Sequence, residues 1–369
     1  MIDFSAYKGW AIPNGVVTQI ADASGRVIWK LETSKPVVLQ VEKITSDTYA
    51  GETTYTGEQF VLLDIYPQNA NSTVKVTYGG STKTLAFNGT NAKQVYFGTF
   101  NGVSDSVSTP ASGTLVIEGG YKSFAIGTYK TYNSTTSKQT TKYASCITAV
   151  DDWGSTEYVP SYAFYECVSL ALIPLPSGIT SIGTYAFYNC QNITLSSLPS
   201  GITSIGNYAF FGCTNLALTS LPSGITSIGT YAFCKCEGLQ LFSHGKYNAF
   251  PDSLTTIGAY AFLMNNGERY KNGDPWYTGG QGNLILPYGL TSIGDYAFTS
   301  EDDRGTNAYL TNVTMLATTP PTIGEYPFSG INIDSNKNIL STTFTVPVGC
   351  ADAYKTAWEI YAKCITEVS

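Results

Sequence analysis

From Ile147 onward the hydrophobic positions recur in blocks. Tyr-Ala-Phe begins at Tyr162, Tyr185, Tyr208, Tyr231, Tyr260 and Tyr296, and Tyr326-Pro-Phe328 is a seventh, altered copy. The intervals are 23, 23, 23, 29, 36 and 30 residues. Ile-Gly stands before six copies, at Ile182, Ile205, Ile228, Ile257, Ile293 and Ile323; the first has Val159-Pro160, as befits a terminal unit. In the unit from Asn192 to Cys213, Ile193, Leu195 and Leu198 form one short apolar run, and Ile202 and Ile205 a second after the turn at Pro199 to Gly201. Gly206 lets the chain bend where a β-carbon would clash. Tyr208-Ala-Phe210 predicts a short helical turn with its Phe inward, and Cys213 fills the remaining space. One unit cannot bury its apolar residues alone, whereas stacked units do so continuously. With strands about 4.8 Å apart, seven coils give a parallel sheet of roughly 30 Å. The pattern predicts a β-solenoid over residues 147–348. Gly349 to Cys364 has helical spacing, with Ala353, Ala357 and Ile360 on one face and Tyr354, Trp358 and Tyr361 beside it. It predicts a helical cap within 349–369.

Upstream the period changes. Val37–Ile44, Gln59–Tyr66, Thr73–Tyr78, Thr82–Phe87, Gln94–Phe100 and Gly113–Ile117 are β-prone runs divided by Gly, Asn, Ser or Pro. Residues 36–128 are therefore expected to form an immunoglobulin-like β-sandwich acting as a spacer. Residues 129–146, rich in Thr, Ser, Lys and Tyr, read as a linker. Residues 1–35 hold two β-rich runs around Asp-Ala-Ser-Gly and read as a hairpin too small to be stable alone, suited to docking onto something larger. The fold class is mainly β throughout.

Composition narrows the function. Charged residues are 13 % of the chain and tyrosine occurs 27 times, a balance suited to hydrogen bonding and stacking more than to electrostatic steering. Residues 1–150 carry 12 Lys and Arg against 10 Asp and Glu, net +2; the remainder carries 8 against 17, net −9. No basic stripe exists, which argues against a nucleic-acid partner. No apolar run approaches the roughly 18 residues of a membrane span, and the N-terminus lacks the character of a signal peptide. Cys167, Cys190, Cys213 and Cys236 recur every 23 residues, which is repeat periodicity and reads as core filling in preference to a disulfide ladder. Cys350 and Cys364 sit in the cap, and whether they pair is open.

The repeat signature "ITSIG-x-YAF-xxC" resembles the BspA-like leucine-rich repeat family from about Ile147 to the end. That resemblance implies a right-handed solenoid used in surface adhesion and recognition, without fixing the ligand. The segment "GWAIPNGVVTQIADASGRVIWK" is similar to N-terminal segments of tail-associated structural proteins of phages infecting gut bacteria.

Candidate chemistry is sparse. His244 is the only histidine, so no His-based metal site can be assembled, and no Ser-His-Asp set can be proposed without an identified partner acid and nucleophile. Asp295, Glu301, Asp302 and Asp303 form an acidic cluster, but Arg304 follows and the spacing of a calcium loop is missing. Gly279-Gly280-Gln-Gly282 lacks the lysine of a phosphate loop. No enzyme, cofactor or metal is expected. Extra residues enter the repeats at Phe242–Ser253, Leu263–Asn283 and Thr299–Asn312. The last two enter at the same point of the unit and should emerge side by side on one edge. They make His244, Tyr247, Arg269, Tyr270, Lys271, Trp276, Tyr277, Arg304 and Tyr309 the candidate ligand-binding residues, because Trp, Tyr and Arg dominate binding hot spots. From Cys167 to Cys234 there is no Asp, Glu, Lys or Arg. The Thr and Ser rows there (Thr180, Ser181; Thr203, Ser204; Thr226, Ser227) could receive a glycan, pack against a second copy of the chain, or be inert wall. The preferred expectation is a phage virion component: residues 1–35 attach to other virion proteins, and the solenoid binds a glycan or protein of the host surface. The alternative is a bacterial surface or secreted adhesin.

Overall fold

The computed structural model describes residues 19–21, 27–30, 36–41, 47–49, 52–54, 60–100, 103–104, 113–126, 128–133, 138–143, 147–154, 156–168, 170–171, 175–239, 241, 250–265, 282–298, 300–301, 310–328 and 343–368. The chain is mainly β. Near the N-terminus, Gln19–Ala21 pairs antiparallel with Val27–Lys30, the expected hairpin.

Next come two antiparallel sheets. One orders Ile147–Asp152, Val37–Val41, Gly113–Gly119, Thr73–Tyr78 and Ser81–Ala86; the other orders Val103–Ser104, Lys93–Phe100, Phe60–Pro67 and Tyr121–Ile126. Alternation decides what turns inward: Val74, Val76 and Tyr78 are buried while Thr73 and Lys75 are exposed. Tyr78 meets Phe97 of the other sheet edge-to-face at 5.7 Å. Tyr78 and Ser81 are paired across Gly79 and Gly80, whose φ values of 57° and 77° suit a two-residue turn that follows the strand twist. Ile147–Asp152 pairs antiparallel with Val37–Val41, with register shifts between Ile147 and Ala149 and between Val150 and Asp152, so this module runs past the boundary drawn at 147. The stretch expected as a linker contains a hairpin, Thr128–Asn133 with Lys138–Tyr143. Its Thr and Tyr are strong strand formers, and that outweighs the Ser and Lys that suggested a loop.

The repeats form a stack of coils. Ser181–Ile182, Ser204–Ile205, Ser227–Ile228, Thr256–Ile257, Ser292–Ile293 and Thr322–Ile323 pair in parallel, one strand per coil. Val159 bridges to Ile182 as the first coil's contribution. In the unit read above, Ile193, Ile202, Phe210 and Cys213 are fully buried and Ile205 nearly so. Phe164, Phe187, Phe210, Phe233, Phe262, Phe298 and Phe328 stack through the interior with centroids 5.2–5.7 Å apart. The Cys190, Cys213 and Cys236 thiols each donate to a phenylalanine carbonyl of the preceding coil, at 2.9, 3.0 and 2.9 Å.

Two local readings are corrected. The Tyr-Ala-Phe segment is not helical: all seven tyrosines sit at φ between 42° and 62°. Tyr185, Phe187 and Asn189 donate their N–H groups to Asn207, Ala209 and Phe211 of the next coil, whereas Ala186, Tyr188 and Cys190 donate within their own. A helical turn would aim its donors along its own axis; the left-handed tyrosine turns instead send alternate donors to the next coil. Gly206 has no positive φ, and its glycine requirement comes from stacking. A Cβ there would lie 2.6 Å from Gly183 C and Thr184 N of the preceding coil. The same obstruction recurs at Gly183, Gly229, Gly258 and Gly294.

The first apolar run of each unit is buried, but it pairs as regular strand only late in the array. Gly282–Leu286, Leu310–Met315, Thr343–Val346 and Ile365–Glu367 make a second parallel sheet. Helix α1 (Ala351–Ala357) and a 3-10 turn over Glu359–Cys364 close this end. Ala353, Ala357 and Ile360 face solvent, and Tyr354, Trp358 and Tyr361 turn in. Tyr354 donates its hydroxyl to Ala317 O at 2.7 Å and Trp358 its indole N–H to Pro321 O at 2.9 Å. The larger rings prevail because they reach the Phe328 and Phe344 rings beneath them. No described cysteine is in a disulfide, Cys350 and Cys364 included. Among the described residues no helix is long and apolar enough to cross a membrane.

Candidate functional site

The short parallel sheet floors a groove of about 650 Å³ running across five of its six strands, past the coil turns that follow them. Ser181, Ser204 and Ser227 form one rail, and Thr184, Asn207 and Thr230 the other. The lining has no charged residue. The sequence placed Thr and Ser together on this wall; the structure separates them. Thr180, Thr203, Thr226, Thr255, Thr291 and Thr322 each donate the hydroxyl to a carbonyl one coil back, at 2.9–3.4 Å. Their hydrogen-bonding capacity is largely spent on the stack. The Ser181, Ser204 and Ser227 side chains, half-buried along the groove, hydrogen-bond to no other described residue.

A double aromatic ladder lies beyond the Thr184–Thr230 rail. Tyr162, Tyr185, Tyr208, Tyr231, Tyr260 and Tyr296 stack at 4.6–5.2 Å. Tyr165, Tyr188 and Phe211 stack beside them at 4.8 and 4.9 Å, and Lys235 lies over Phe211 at 5.5 Å. Burial raises the Tyr185, Tyr188 and Tyr208 hydroxyls above the ordinary phenol range. Ring faces cover one another, so what remains available is largely their edges.

The second candidate is the insertion edge. His244, Tyr247, Arg269, Tyr270, Lys271, Trp276, Tyr277, Arg304 and Tyr309 all lie outside the described residues, as do Asp302 and Asp303. The roots of the insertions are described. Met264–Asn265 pairs in parallel with Ser300–Glu301 where the chain leaves two successive coils. Gly282–Leu286 pairs in parallel with Leu310–Met315 where it returns. The two long insertions thus leave and re-enter the stack as neighbours.

Sequence reading missed the anchors of the shorter insertion. Phe250 is buried and meets Phe262 and Phe298 edge-to-face at 5.5 and 6.1 Å. Ser253 donates to Ser223 O and Ile225 O of the preceding coil, at 2.8 and 2.6 Å. An isolated Phe after a polar stretch carries no periodic signal. Asp295, weighed as part of an acidic cluster, accepts the Glu325 N–H at 2.6 Å. No group of three or more metal-ligating side chains is found among the described residues. Burial pushes the Cys213 and Cys236 thiols far up, which leaves them protonated and poor nucleophiles.

Residues 139–268 match the family described as the BspA type leucine rich repeat region, in six copies. Solved structures similar to the chain include a leucine-rich repeat protein from Bacteroides ovatus ATCC 8483, at 18 % identity over 65 % of this chain and 74 % of that one (TM-score 0.33). A leucine-rich repeat protein of T. pallidum has 20 % identity over 62 % and 92 % (TM-score 0.34). A leucine rich cell surface protein of Faecalibacterium prausnitzii A2-165 has 20 % over 59 % and 52 % (TM-score 0.34). No curated protein matches the chain.

Proposed function

Starting from the BspA-type repeats of residues 139–268, we propose that the chain is a non-enzymatic recognition protein of the bacterial cell surface, an adhesin whose insertion edge engages a surface glycan or protein. The adhesin reading takes precedence over the virion reading. The former is supported by the repeat match, the latter only by the resemblance of the segment from Gly9 to Lys30. In this reading the immunoglobulin-like module carries the solenoid.

The observation that carries the proposal is the parallel pairing at both ends of the two long insertions. It sets the roots of the two insertions side by side, and in this reading the residues between those roots, Arg269, Tyr270, Trp276, Tyr277, Arg304 and Tyr309 among them, supply the binding side chains. Recognition concentrates in a few Trp, Tyr and Arg side chains on a rigid support. Exchanging Trp276 and Tyr277 together for Ala should abolish adhesion to bacterial or host-cell surfaces in a pull-down while the melting temperature stays unchanged. Retained adhesion at full stability removes the insertion edge from the proposal.

A second reading has its own support in the serine rail along the groove. A charge-free groove with hydroxyls in register suits a neutral glycan strand. Ser204→Leu with Ser227→Leu should block such binding and spare contacts made at the insertion edge. The two variants therefore separate the two faces.

A further inference from the structure

A stack of coils has two ends, and each exposes an apolar cross-section unless something covers it. The C-terminal end is covered by α1. At the other end, Phe164 belongs to the first coil, with no coil before it, yet its side chain is fully buried. Phe187 stacks on one face at 5.2 Å. Two further rings against it come from the two-sheet module and the strand that leaves it. Phe124, on Tyr121–Ile126, meets it edge-to-face at 5.7 Å and 88°; Trp153 does so at 5.7 Å and 76°.

We infer that the two-sheet module is the end plate of the repeat array, welded to the first coil so that module and array fold and move as one body. Three kinds of link converge on the junction. The aromatic one is Phe124–Phe164–Trp153. The polar one is Ser123, fully buried, whose hydroxyl donates to Tyr158 O at 3.0 Å one residue before Val159 enters the coil sheet. The covalent one is short: Ile147–Asp152 is paired within the module, and a turn with Thr156 N–H on Trp153 O leads directly to Val159. Buried side chains consequently form one continuous cluster from Val37 to Ile365. A spacer swinging on a flexible joint would leave Phe164 and Val159 to solvent, whereas both are fully buried.

The functional content is orientation. Whatever anchors the module fixes the direction in which the groove and the insertion edge face, without a separate hinge to order on binding. This holds whichever face binds.

Hydrogen exchange on the full chain tests it. In Phe124→Ala, exchange at Gly183, Tyr185 and Phe187, whose N–H groups bond between the first three coils, should accelerate at least about tenfold. The effect should fade toward Thr322–Ile323. Acceleration confined to Tyr121–Ile126, with coil amides as protected as in the parent, overturns the weld. Should that variant not fold, the parent chain decides. The slowest amides of Thr73–Tyr78 and of Ser204–Ile205 should open together in a single denaturant transition, and two separated transitions refute the inference.

Discussion

Phe210 and Gly206 show how tightly single positions are specified. Phe210 is fully buried between Phe187 and Phe233, so Phe210→Ala should cost about 3–5 kcal/mol in chemical denaturation. Gly206→Ala adds only a methyl group, but that carbon meets two backbone atoms that cannot rotate away. It should cost about 3 kcal/mol by overpacking, and a stability equal to the parent would show that coils can separate locally. The buried thiols offer a third check. An alkylating reagent at mildly alkaline pH should leave Cys190, Cys213 and Cys236 unmodified until the chain unfolds; mass shifts at these positions in the native state would contradict their protonated, enclosed state. The inward column was legible because recurrence at 23 residues marks it directly. The left-handed tyrosines were not, because their conformation answers to carbonyls of the next coil, which lie a whole repeat away in sequence.

At the scale of elements, sequence reading did well where alternation or recurrence spans several residues and poorly where one contact decides. Thr73–Tyr78 is an amphipathic strand by inspection. The hairpin within 129–146 was hidden because Thr serves both loops and strands. The cap was found as a helix, with its inward face decided by Tyr354, Trp358 and Tyr361 reaching beneath it instead of by the small residues. The cap also carries a pH-sensitive contact. Glu367 accepts the Ala351 N–H at 3.0 Å, and backbone N–H groups of Ala351 and Gly349 hold its carboxyl below the ordinary glutamate value. A lowered folded-state value means that the contact stabilises above the unfolded glutamate's range and is lost as pH falls through the folded one. Melting curves of the parent and Glu367→Gln should differ near neutrality and converge in acid. A gap persisting into acid would assign the effect to something other than this carboxylate.

At the scale of the molecule, the division into sheets followed by repeats was readable from the change of period, but the union of the two was not. Phe124, Ser123 and Trp153 carry no common spacing, and only the folded chain brings two of them to Phe164 and the third to Tyr158. The insertion edge shows the converse. Its placement followed from counting residues between Tyr260, Tyr296 and Tyr326, and the paired roots agree with it. The neutral groove was half legible: the hydroxyl rows were visible, while the commitment of the threonines to carbonyls one coil back needed the hydrogen bonds.

In the regular coils each unit closes its neighbour's open valences with the same atoms at the same positions, Tyr185 on Asn207, then Tyr208 on Thr230. Such a module is self-templating. Duplicating one 23-residue segment of the gene lengthens the rod by a further tier without any new packing solution, whereas the insertion-bearing tiers are each unique. Reach and specificity can therefore diverge independently, the first by copying and the second by point change.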